Sequence, residues 1–258
     1  MRPELKQVIS ATREAGDLTL RYFGGDYRVE DKGGGDPLTT ADLEADAYLK
    51  KALLDIHPDS GWLSEETTDD HKRLAREAVW IVDPIDGTRE FVEGIPEYVV
   101  AVALVESGNP TLAVISNPAK GELYAAVKGG GTYLNGQRVF CSEVQTLSEA
   151  IATVSRSEIK RGEIDPYRPY LKDLRPVGSV AYKLALAASG ACDLNFSVQP
   201  KNEWDVCAGD LLVREAGGQM LDRSSQVRIY NQKDPLIAGG LAAGNEELVA
   251  QILHYMQE

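Results

Sequence analysis

The sequence predicts an α/β (α+β) protein, with an N-terminal α+β lobe over residues 1–145 and a C-terminal α/β lobe over residues 146–258. Three observations support this prediction. Two helical patterns come first, a group of apolar strands follows, and after about Leu147 strand and helix patterns alternate along the chain. Alternation of this kind is typical of a sheet that helices cover.

In the first lobe, apolar residues at helical spacing predict a helix over residues 4–23, which Gly24-Gly25 ends. A second helix is predicted over residues 39–56, because Thr39 and Asp42 have the spacing of a capping box. A tight hairpin is predicted at Asn135-Gly136. Short apolar runs predict strands at 79–82, 98–106, 111–117 and 123–127.

In the second lobe, strand and helix patterns alternate along the chain. Strands are predicted at 151–154, 192–197 and 235–239. Helices are predicted at 179–189, 205–216 and 245–256. We therefore expect a sheet with helices packed on it, joined to the first lobe near residue 145.

Composition excludes several classes of protein. The chain has 258 residues, with 27 Lys+Arg against 40 Asp+Glu and a net charge of −13. An acidic excess argues against a nucleic-acid partner, since that affinity comes from Lys and Arg. The longest apolar run, residues 99–105, is far short of the roughly 20 residues that cross a bilayer. With no signal-peptide pattern and only three cysteines, we expect a cytoplasmic protein without a membrane partner.

The segment Val79-Trp-Ile-Val-Asp-Pro-Ile-Asp-Gly-Thr88 is the most informative motif. Asp83 and Asp86 follow an apolar strand on a Pro-containing turn, and the Ile85 carbonyl lies between them. Clustered hard oxygen ligands suit Mg²⁺. Gly87 and Thr88 then offer backbone N–H groups and a hydroxyl to a phosphate. The alternative is an ordinary surface turn.

Three further acidic residues are candidates with plain structural alternatives. Glu65 lies in Leu63-Ser-Glu-Glu66, which is also consistent with a solvated acidic turn. Asp205, beside Trp204, could simply be the N-cap of the helix that follows. Asp42 could serve only its capping box.

Taken together, the motifs resemble the inositol monophosphatase superfamily of Mg²⁺-dependent, lithium-sensitive phosphomonoesterases. The resemblance covers essentially the whole chain. It implies the layered αβαβα fold of the sugar phosphatases, two or three Mg²⁺ ions, a small-molecule phosphate monoester as substrate, and a homodimer. The motifs that carry it are Asp-Pro-Leu-Thr-Thr-Ala-Asp42, Leu-Ser-Glu-Glu66, Trp-Ile-Val-Asp-Pro-Ile-Asp-Gly-Thr88, Trp-Asp-Val-Cys-Ala-Gly209 and Glu-Ala-Gly-Gly-Gln-Met-Leu-Asp222.

The resemblance also implies the metal ligands, which are all oxygen donors: Glu65, Asp83, the Ile85 carbonyl, Asp86 and Asp205. Asp83 would bridge two ions, joining Glu65 and Ile85 at the first and Asp86 and Asp205 at the second. Glu65 would also touch a third, looser ion.

For catalysis, the resemblance implies that Asp42 and Thr88 orient or deprotonate the attacking water, with Glu65 beside them. The physical logic agrees with these residue types, because cations placed between a phosphate and a hydroxide remove their mutual repulsion. The alternative from another class is a metal-binding regulatory protein without turnover.

Several features are similar to the branch that hydrolyses adenosine 3′,5′-bisphosphate to AMP and phosphate. They are the segment Asp86-Gly-Thr-Arg-Glu-Phe91, the Gly178-Ser179 pair, and Val198 where inositol enzymes place a sugar-binding Glu. We therefore expect that 3′(2′),5′-bisphosphate nucleotidase activity, with an inositol-1-monophosphatase or a broad sugar-phosphate phosphatase as the alternative.

The predicted substrate contacts are Asp86, Gly87, Thr88, Gly178, Ser179, Lys183, Tyr230 and Asp205. Lys183 and Lys201 are candidates for a second phosphate, although surface lysines are mostly just solvated. Tyr230 could instead be a core residue. The glycine-rich segment 32–37 is predicted to be a mobile loop that folds over the site.

Overall fold

The computed structural model describes residues 2–31, 33 and 37–257. It contains seven α-helices within those residues: α1 (Leu5–Leu20), α2 (Thr40–Ile56), α3 (Thr88–Val92), α4 (Arg156–Lys160), α5 (Val180–Ala188), α6 (Glu203–Glu215) and α7 (Glu246–Gln257). The longer helices lie where the sequence predicts them. Helices α3 and α4 have five residues each, and the sequence patterns do not predict them.

The strands of the first half are β1 (Val29–Asp31), β2 (Pro37–Thr39), β3 (Gly61–Ser64), β4 (Ala78–Asp86), β5 (Val99–Glu106), β6 (Asn109–Asn117), β7 (Glu122–Val127), β8 (Gly131–Leu134) and β9 (Gln137–Val139). Strands β3 to β9 form one seven-stranded sheet in chain order, and β1 pairs with β2. Only the β3–β4 pair of this sheet is parallel. The predicted hairpin at Asn135-Gly136 is confirmed, because both residues adopt the positive φ angles that such a turn requires.

The strands of the second half are β10 (Ile151–Val154), β11 (Asp173–Pro176), β12 (Leu194–Ser197), β13 (Lys201–Asn202), β14 (Gln219–Asp222), β15 (Leu236–Ile237) and β16 (Leu241–Gly244). Five of them form a mixed sheet in the order β11-β10-β12-β16-β14, and β13 pairs with β15. The strand predicted at 235–239 is therefore a two-residue segment outside the main sheet. The predicted division near residue 145 falls between Val139, the end of one sheet, and Ile151, the start of the other.

The core residues show how the elements stack. Helices α1 and α2 pack on one face of the large sheet, where Val8 and Leu49 contact the side that carries Trp80 and Val102. The other face, which carries Ile81, packs against α5 and α6. The same two helices lie against the five-stranded sheet, and α7 covers the far face of that sheet. These five layers confirm the predicted αβαβα fold.

Candidate active site

Two carboxylates meet at the end of the parallel strand pair. The register of β3 and β4 pairs Ser64 with Val82, so Glu65 and Asp83 are the next residues along two neighbouring parallel strands. Because parallel strands end at the same edge of a sheet, both side chains reach one cavity. The parallel pairing explains why Glu65, which the sequence also allowed to be part of a solvated turn, lies beside Asp83.

A bulge brings Asp83 and Asp86 to the same side. Residues three apart in a regular strand point to opposite faces. Here the pairing of β4 with β5 shifts register between Asp83 and Asp86, and both aspartates line the cavity. Gly87 follows with φ +98°, and a Cβ at this position would lie 2.9 Å from the Glu97 carbonyl oxygen. The backbone turn after the motif therefore requires glycine.

Asp86 also joins the two halves of the chain. Its Oδ2 accepts hydrogen bonds from the Ser179 hydroxyl at 2.7 Å and from the Ala181 backbone N–H. Ser179 is the N-cap of α5, and its hydroxyl accepts from the Tyr182 N–H at 2.9 Å. The carboxylate thus lies at a helix N-terminus, where the helix dipole favours negative charge.

Asp205 comes from the first turn of α6. The N-cap of that helix is Asn202, so the alternative that Asp205 is the N-cap is wrong. Its Oδ2 accepts from the Asn202 N–H at 2.7 Å, in the manner of the third residue of a capping box. One oxygen caps the helix, and the side chain as a whole lines the cavity.

Asp42 and Thr88 lie together beside the cavity. Thr88 Oγ1 is 3.2 Å from Asp42 Oδ1 and 2.9 Å from the Ile85 carbonyl oxygen. Asp42 is 1% exposed, and its Oδ2 accepts from the Thr39 N–H at 2.8 Å. The predicted capping box is confirmed, and Asp42 carries both the cap and the contact with Thr88.

The electrostatics of this cluster disfavour uncompensated charge. Burial raises the pKa of Asp83 well above its usual range, and Glu65, Asp86 and Asp205 raise it further. Burial and the Asp86 carboxylate raise the pKa of Asp205 in the same way. A cation between such groups would relieve their repulsion.

The donor set suits a hard divalent ion. Carboxylate oxygens and the Ile85 carbonyl are the ligands that Mg²⁺ prefers. As the side chains stand, no three acidic, histidine or cysteine side chains in the described ranges are grouped closely enough to hold an ion. Carboxylates repel one another at close range, so the fit rests on donor chemistry and a shared cavity, and not on a preformed cage.

The cavity has a volume of about 710 Å³ and brings together most of the predicted site. The predicted residues that line it are Glu65, Asp83, Ile85, Asp86, Gly87, Thr88, Gly178, Ser179, Lys183 and Asp205. Asp42 stands directly behind Thr88. The predicted loop at 32–37 lies outside the described residues, apart from Gly33 and Pro37.

Tyr230, one of the predicted substrate contacts, does not line this cavity. Tyr230 is 1% exposed and belongs to the hydrophobic core between the sheets. Its hydroxyl donates to Asp210 Oδ2 at 2.8 Å. Tyr230 is therefore the core residue of the alternative interpretation, and we remove it from the substrate contacts.

Sequence reasoning missed a group of basic residues in the same cavity: Arg89, Arg156, Lys160 and Arg161. The segment Ser155-Arg-Ser-Glu-Ile-Lys-Arg161 does carry a visible cluster of positive charge, which was the available signal. Lys183, for which a solvated helix surface was the ordinary interpretation, is 2% exposed. Burial lowers its pKa, and the Asp86 carboxylate opposes that effect.

The described residues contain no helix that is long and apolar enough to cross a membrane.

A model of the inositol monophosphatase family matches residues 1–258. The chain is 34% identical to the inositol-1-monophosphatase of Rhizobium meliloti over 98% of its own length and 96% of that protein. It is 33% identical to the Nus factor SuhB of Xylella fastidiosa, over 93% of this chain and 91% of that one.

Solved structures agree with these relatives. The extragenic suppressor protein suhB of Bartonella henselae superposes with a TM-score of 0.85 at 30% identity, covering 98% of each chain. The IMPase of Thermotoga maritima also gives a TM-score of 0.85, at 29% identity, over 96% of this chain and 94% of that one. The likeness therefore spans both sheets and the helices between them.

Proposed function

Because the chain belongs to the inositol monophosphatase family, which makes it a phosphatase, we propose that it is a magnesium-dependent phosphomonoesterase. The observation that carries the proposal is the convergence of acids from separate elements on one cavity: Glu65 after β3, Asp83 and Asp86 at the bulge of β4, and Asp205 in the first turn of α6.

The residues that would hold Mg²⁺ are Glu65, Asp83, the Ile85 carbonyl, Asp86 and Asp205. When bound, the metal would supply a water of lowered pKa and charge stabilisation for the phosphoryl group. Two or three ions are proposed, as the family resemblance implies.

Thr88 and Asp42 would handle the proton of the attacking water. The Thr88 hydroxyl has two acceptors within reach, Asp42 Oδ1 at 3.2 Å and the Ile85 carbonyl oxygen at 2.9 Å. In the proposed role its proton is directed to Asp42, and the lone pairs of Thr88 Oγ1 accept a hydrogen bond from that water.

As the water oxygen bonds to phosphorus, the bond from phosphorus to the ester oxygen breaks, and that oxygen leaves as an alcohol after taking a proton from solvent water. The proton of the attacking water passes to Thr88 Oγ1 while the threonine proton moves to Asp42 Oδ1. The backbone N–H groups that follow Gly87 would bind the phosphate oxygens. Those at the N-terminus of α5 already bind Asp86 and Ser179.

Adenosine 3′,5′-bisphosphate is the substrate we propose, with AMP and phosphate as products. Support comes from the Asp86–Phe91 pattern, from Gly178 and Ser179 in the cavity, and from the absence of a carboxylate at Val198. Val198 packs against the core of the second sheet and its N–H donates to Glu158 Oε1. Inositol 1-phosphate is the second candidate, and the printed name of the Rhizobium relative favours it.

A substrate panel tests both parts of the proposal. Phosphate release is measured with adenosine 3′,5′-bisphosphate, the related phosphosulfate, inositol 1-phosphate and fructose 1,6-bisphosphate, each with Mg²⁺ and with EDTA. We expect turnover only with Mg²⁺ and the highest kcat/KM for adenosine 3′,5′-bisphosphate. A higher value for inositol 1-phosphate would select the second candidate, and release from no ester would favour a metal-binding regulatory role.

The proposal includes three further properties that rest on the family resemblance: inhibition by lithium, a homodimer and a cytoplasmic location. Light scattering on the purified protein measures its mass, and a monomer of 28.1 kDa would contradict the dimer. Lithium added to the same phosphate-release assay checks the first property.

A further inference from the structure

A buried arginine lies against the strand that leads to Glu65. Arg73 is 2% exposed and belongs to the short turn Lys72–Ala75 between β3 and β4. A Cβ on Gly61, the first residue of β3, would lie 2.7 Å from the Cβ of Arg73. The backbone of Arg73 is therefore packed directly on the start of this strand.

The guanidinium group of Arg73 contacts both halves of the chain. Its Nε and Nη2 donate to Asp69 Oδ2 at 3.0 Å and 2.8 Å. Its Nη1 donates to Asn231 Oδ1 at 2.6 Å and its Nη2 to the Gln232 carbonyl at 2.9 Å, across 158 and 159 residues of chain. The rigid fork of donors on an arginine suits such simultaneous contacts. The side chain thus fixes the segment after β3 relative to residues 231–232.

Glu203 binds residues 231–232 from the other side. It is the first residue of α6 and is 0% exposed. Its Oε2 accepts from the Asn231 N–H at 2.7 Å, and its Oε1 accepts from the Gln232 N–H at 3.1 Å. Arg228 Nη2 donates to the same Oε1 at 3.2 Å. Residues 231–232 therefore lie between two buried charged side chains, Arg73 from the first half of the chain and Glu203 from the second.

Both ends of this chain of contacts lie next to proposed metal ligands. Arg73 belongs to the connection that begins with Glu65, and Glu203 shares the first turn of α6 with Asp205. Carboxylates that share a cavity repel one another. Contacts that join the two connections oppose this repulsion, and they are present before any ion binds, which lowers the ordering cost of binding. The contact residues themselves do not line the active-site cavity: Asp69, Arg73, Glu203, Asn231 and Gln232.

We propose that these five residues, the Arg73 network, are positioning residues that hold Glu65 and Asp205 at the spacing that divalent ions require. The inference rests on the proposed metal-dependent function and deepens it. The network touches neither substrate nor metal and acts only through the ligands. Its signature is weaker binding of Mg²⁺, with little change in turnover once Mg²⁺ is saturating.

The test removes one contact of the network and keeps the backbone. Asn231 has φ +63°, so Asn231→Gly takes away the acceptor of Arg73 at a position where glycine is unstrained. Asn231→Asp keeps that oxygen and tolerates the same backbone. The control is Ser225→Gly, an exposed position with φ +59° in the same connection between β14 and β15.

Calorimetric titration with Mg²⁺, without substrate, is the first measurement, and phosphate release against Mg²⁺ concentration is the second. We expect Asn231→Gly to raise the Kd for Mg²⁺ about tenfold, as loss of a residue that orients a ligand does. Its kcat at saturating Mg²⁺ should stay within about twofold of wild type. Asn231→Asp and Ser225→Gly should bind Mg²⁺ within about twofold of wild type. Equal affinity in Asn231→Gly and the control, or an equal loss in Asn231→Asp, would overturn the proposal.

A second variant keeps the proposal testable if the first does not fold. Arg73→Lys retains a positive charge beside Asp69 but lacks the fork that reaches Asn231 and Gln232 together. It should also raise the Kd for Mg²⁺ about tenfold. Denaturant unfolding in EDTA shows which variants are folded, and a folded Arg73→Lys protein with the affinity of the control would overturn the proposal.

Failure of the proposed function has a different signature. If the wild type releases phosphate from no ester while Asn231→Gly binds Mg²⁺ more weakly than the control, the phosphomonoesterase proposal fails and the network is supported. If the wild type is active and every variant binds Mg²⁺ equally well, the network alone is refuted. A wild type that binds no Mg²⁺ would overturn both.

Discussion

Asp46 Oδ1 accepts a hydrogen bond from the Ser64 hydroxyl at 2.5 Å, across 18 residues of chain. Its Oδ2 accepts from the Thr67 hydroxyl at 2.6 Å. Asp46 lies one turn after Asp42 on α2, so a single helix contacts Thr88 through one aspartate and holds the loop of Glu65 through the next.

Replacement of Asp46 should therefore weaken metal binding without touching a proposed ligand. Asp46→Ala frees the loop of Glu65, and we expect the affinity for Mg²⁺ to fall about tenfold, a typical effect of losing a residue that orients a ligand. The unfolding free energy should fall by about 1–3 kcal/mol, because buried hydroxyls lose their acceptor. Calorimetric titration with Mg²⁺ and denaturant unfolding measure the two effects.

Asp55→Ala is the matched control for that prediction. Asp55 lies on the same helix, pairs with Lys51 on the surface, and its side chain is 67% exposed. Mg²⁺ affinity should be unchanged in this variant. An Asp46→Ala protein that binds Mg²⁺ as tightly as the control would contradict the positioning role.

Asp83→Asn should separate activity from stability. The substitution removes the central carboxylate of the acidic cluster, so turnover should fall by several orders of magnitude in the phosphate-release assay. In EDTA the variant should be as stable as the wild type or more stable, because repulsion from Glu65, Asp86 and Asp205 is relieved. Turnover at the wild-type rate, or marked destabilisation in EDTA, would refute the assignment.

Thr88→Ala should lower kcat more than it lowers metal affinity. The hydroxyl lies 3.2 Å from Asp42 Oδ1, and the proposed role is to hold the attacking water. We expect a fall in kcat of about 10²- to 10⁴-fold with little change in Mg²⁺ affinity. Thr88→Ser keeps the hydroxyl and is expected to retain most of the activity. If the alanine and serine variants were equally active, the hydroxyl would have no role.

The raised pKa of Asp210 predicts that the stability of the fold depends on pH. Burial raises the pKa of this carboxyl to about 6, although Arg214 and Tyr230 oppose the shift. Because the folded state binds this proton more tightly than the unfolded state, the resulting stability is fully present below about pH 4 and is lost as the pH rises through 6. Relative to Asp210→Asn, the wild type should lose up to about 3 kcal/mol of unfolding free energy between pH 4 and pH 7.

Denaturant unfolding at several pH values measures how the unfolding free energy of each protein changes with pH. Only this change is compared, because the asparagine also alters the contact with Arg214 and so shifts the absolute unfolding free energy. Leu211→Met, a neutral exchange at the next residue, is the control and should track the wild type at every pH. A difference between wild type and Asp210→Asn that grows in the opposite direction would show that the ionised form is the one that folding favours.

Local patterns predicted much of this molecule because they are physically self-contained. The helix at Thr40–Ile56 has its cap, its apolar spacing and its end within one stretch of chain. The acids at 83 and 86 were recognisable together, but their common orientation depends on a bulge against β5, which no local pattern reveals. Lys183 and Tyr230 were ambiguous for the same reason, since their burial depends on distant elements.

The parts that could not be predicted are short or stabilised from outside. Strands β11, β14 and β16 have four residues each, and their pairing partners lie elsewhere in the chain. Helix α4 has five residues, and Glu158 on it is held by contacts with residues 197–199. Such elements have little propensity of their own, so tertiary contacts decide them.

Helices α5 and α6 belong to the second half of the chain but cover the sheet of the first half, where Leu184 and Leu211 share a core with Ile81. A fragment ending at residue 145 would therefore expose a whole apolar sheet face, and its counterpart would contain only one of the four clustered acids. When two separately produced fragments are mixed, the sheet face would be covered and the four acids brought together in the same step. Because the proposed metal ligands come from both fragments, divalent ions should then promote that reassociation.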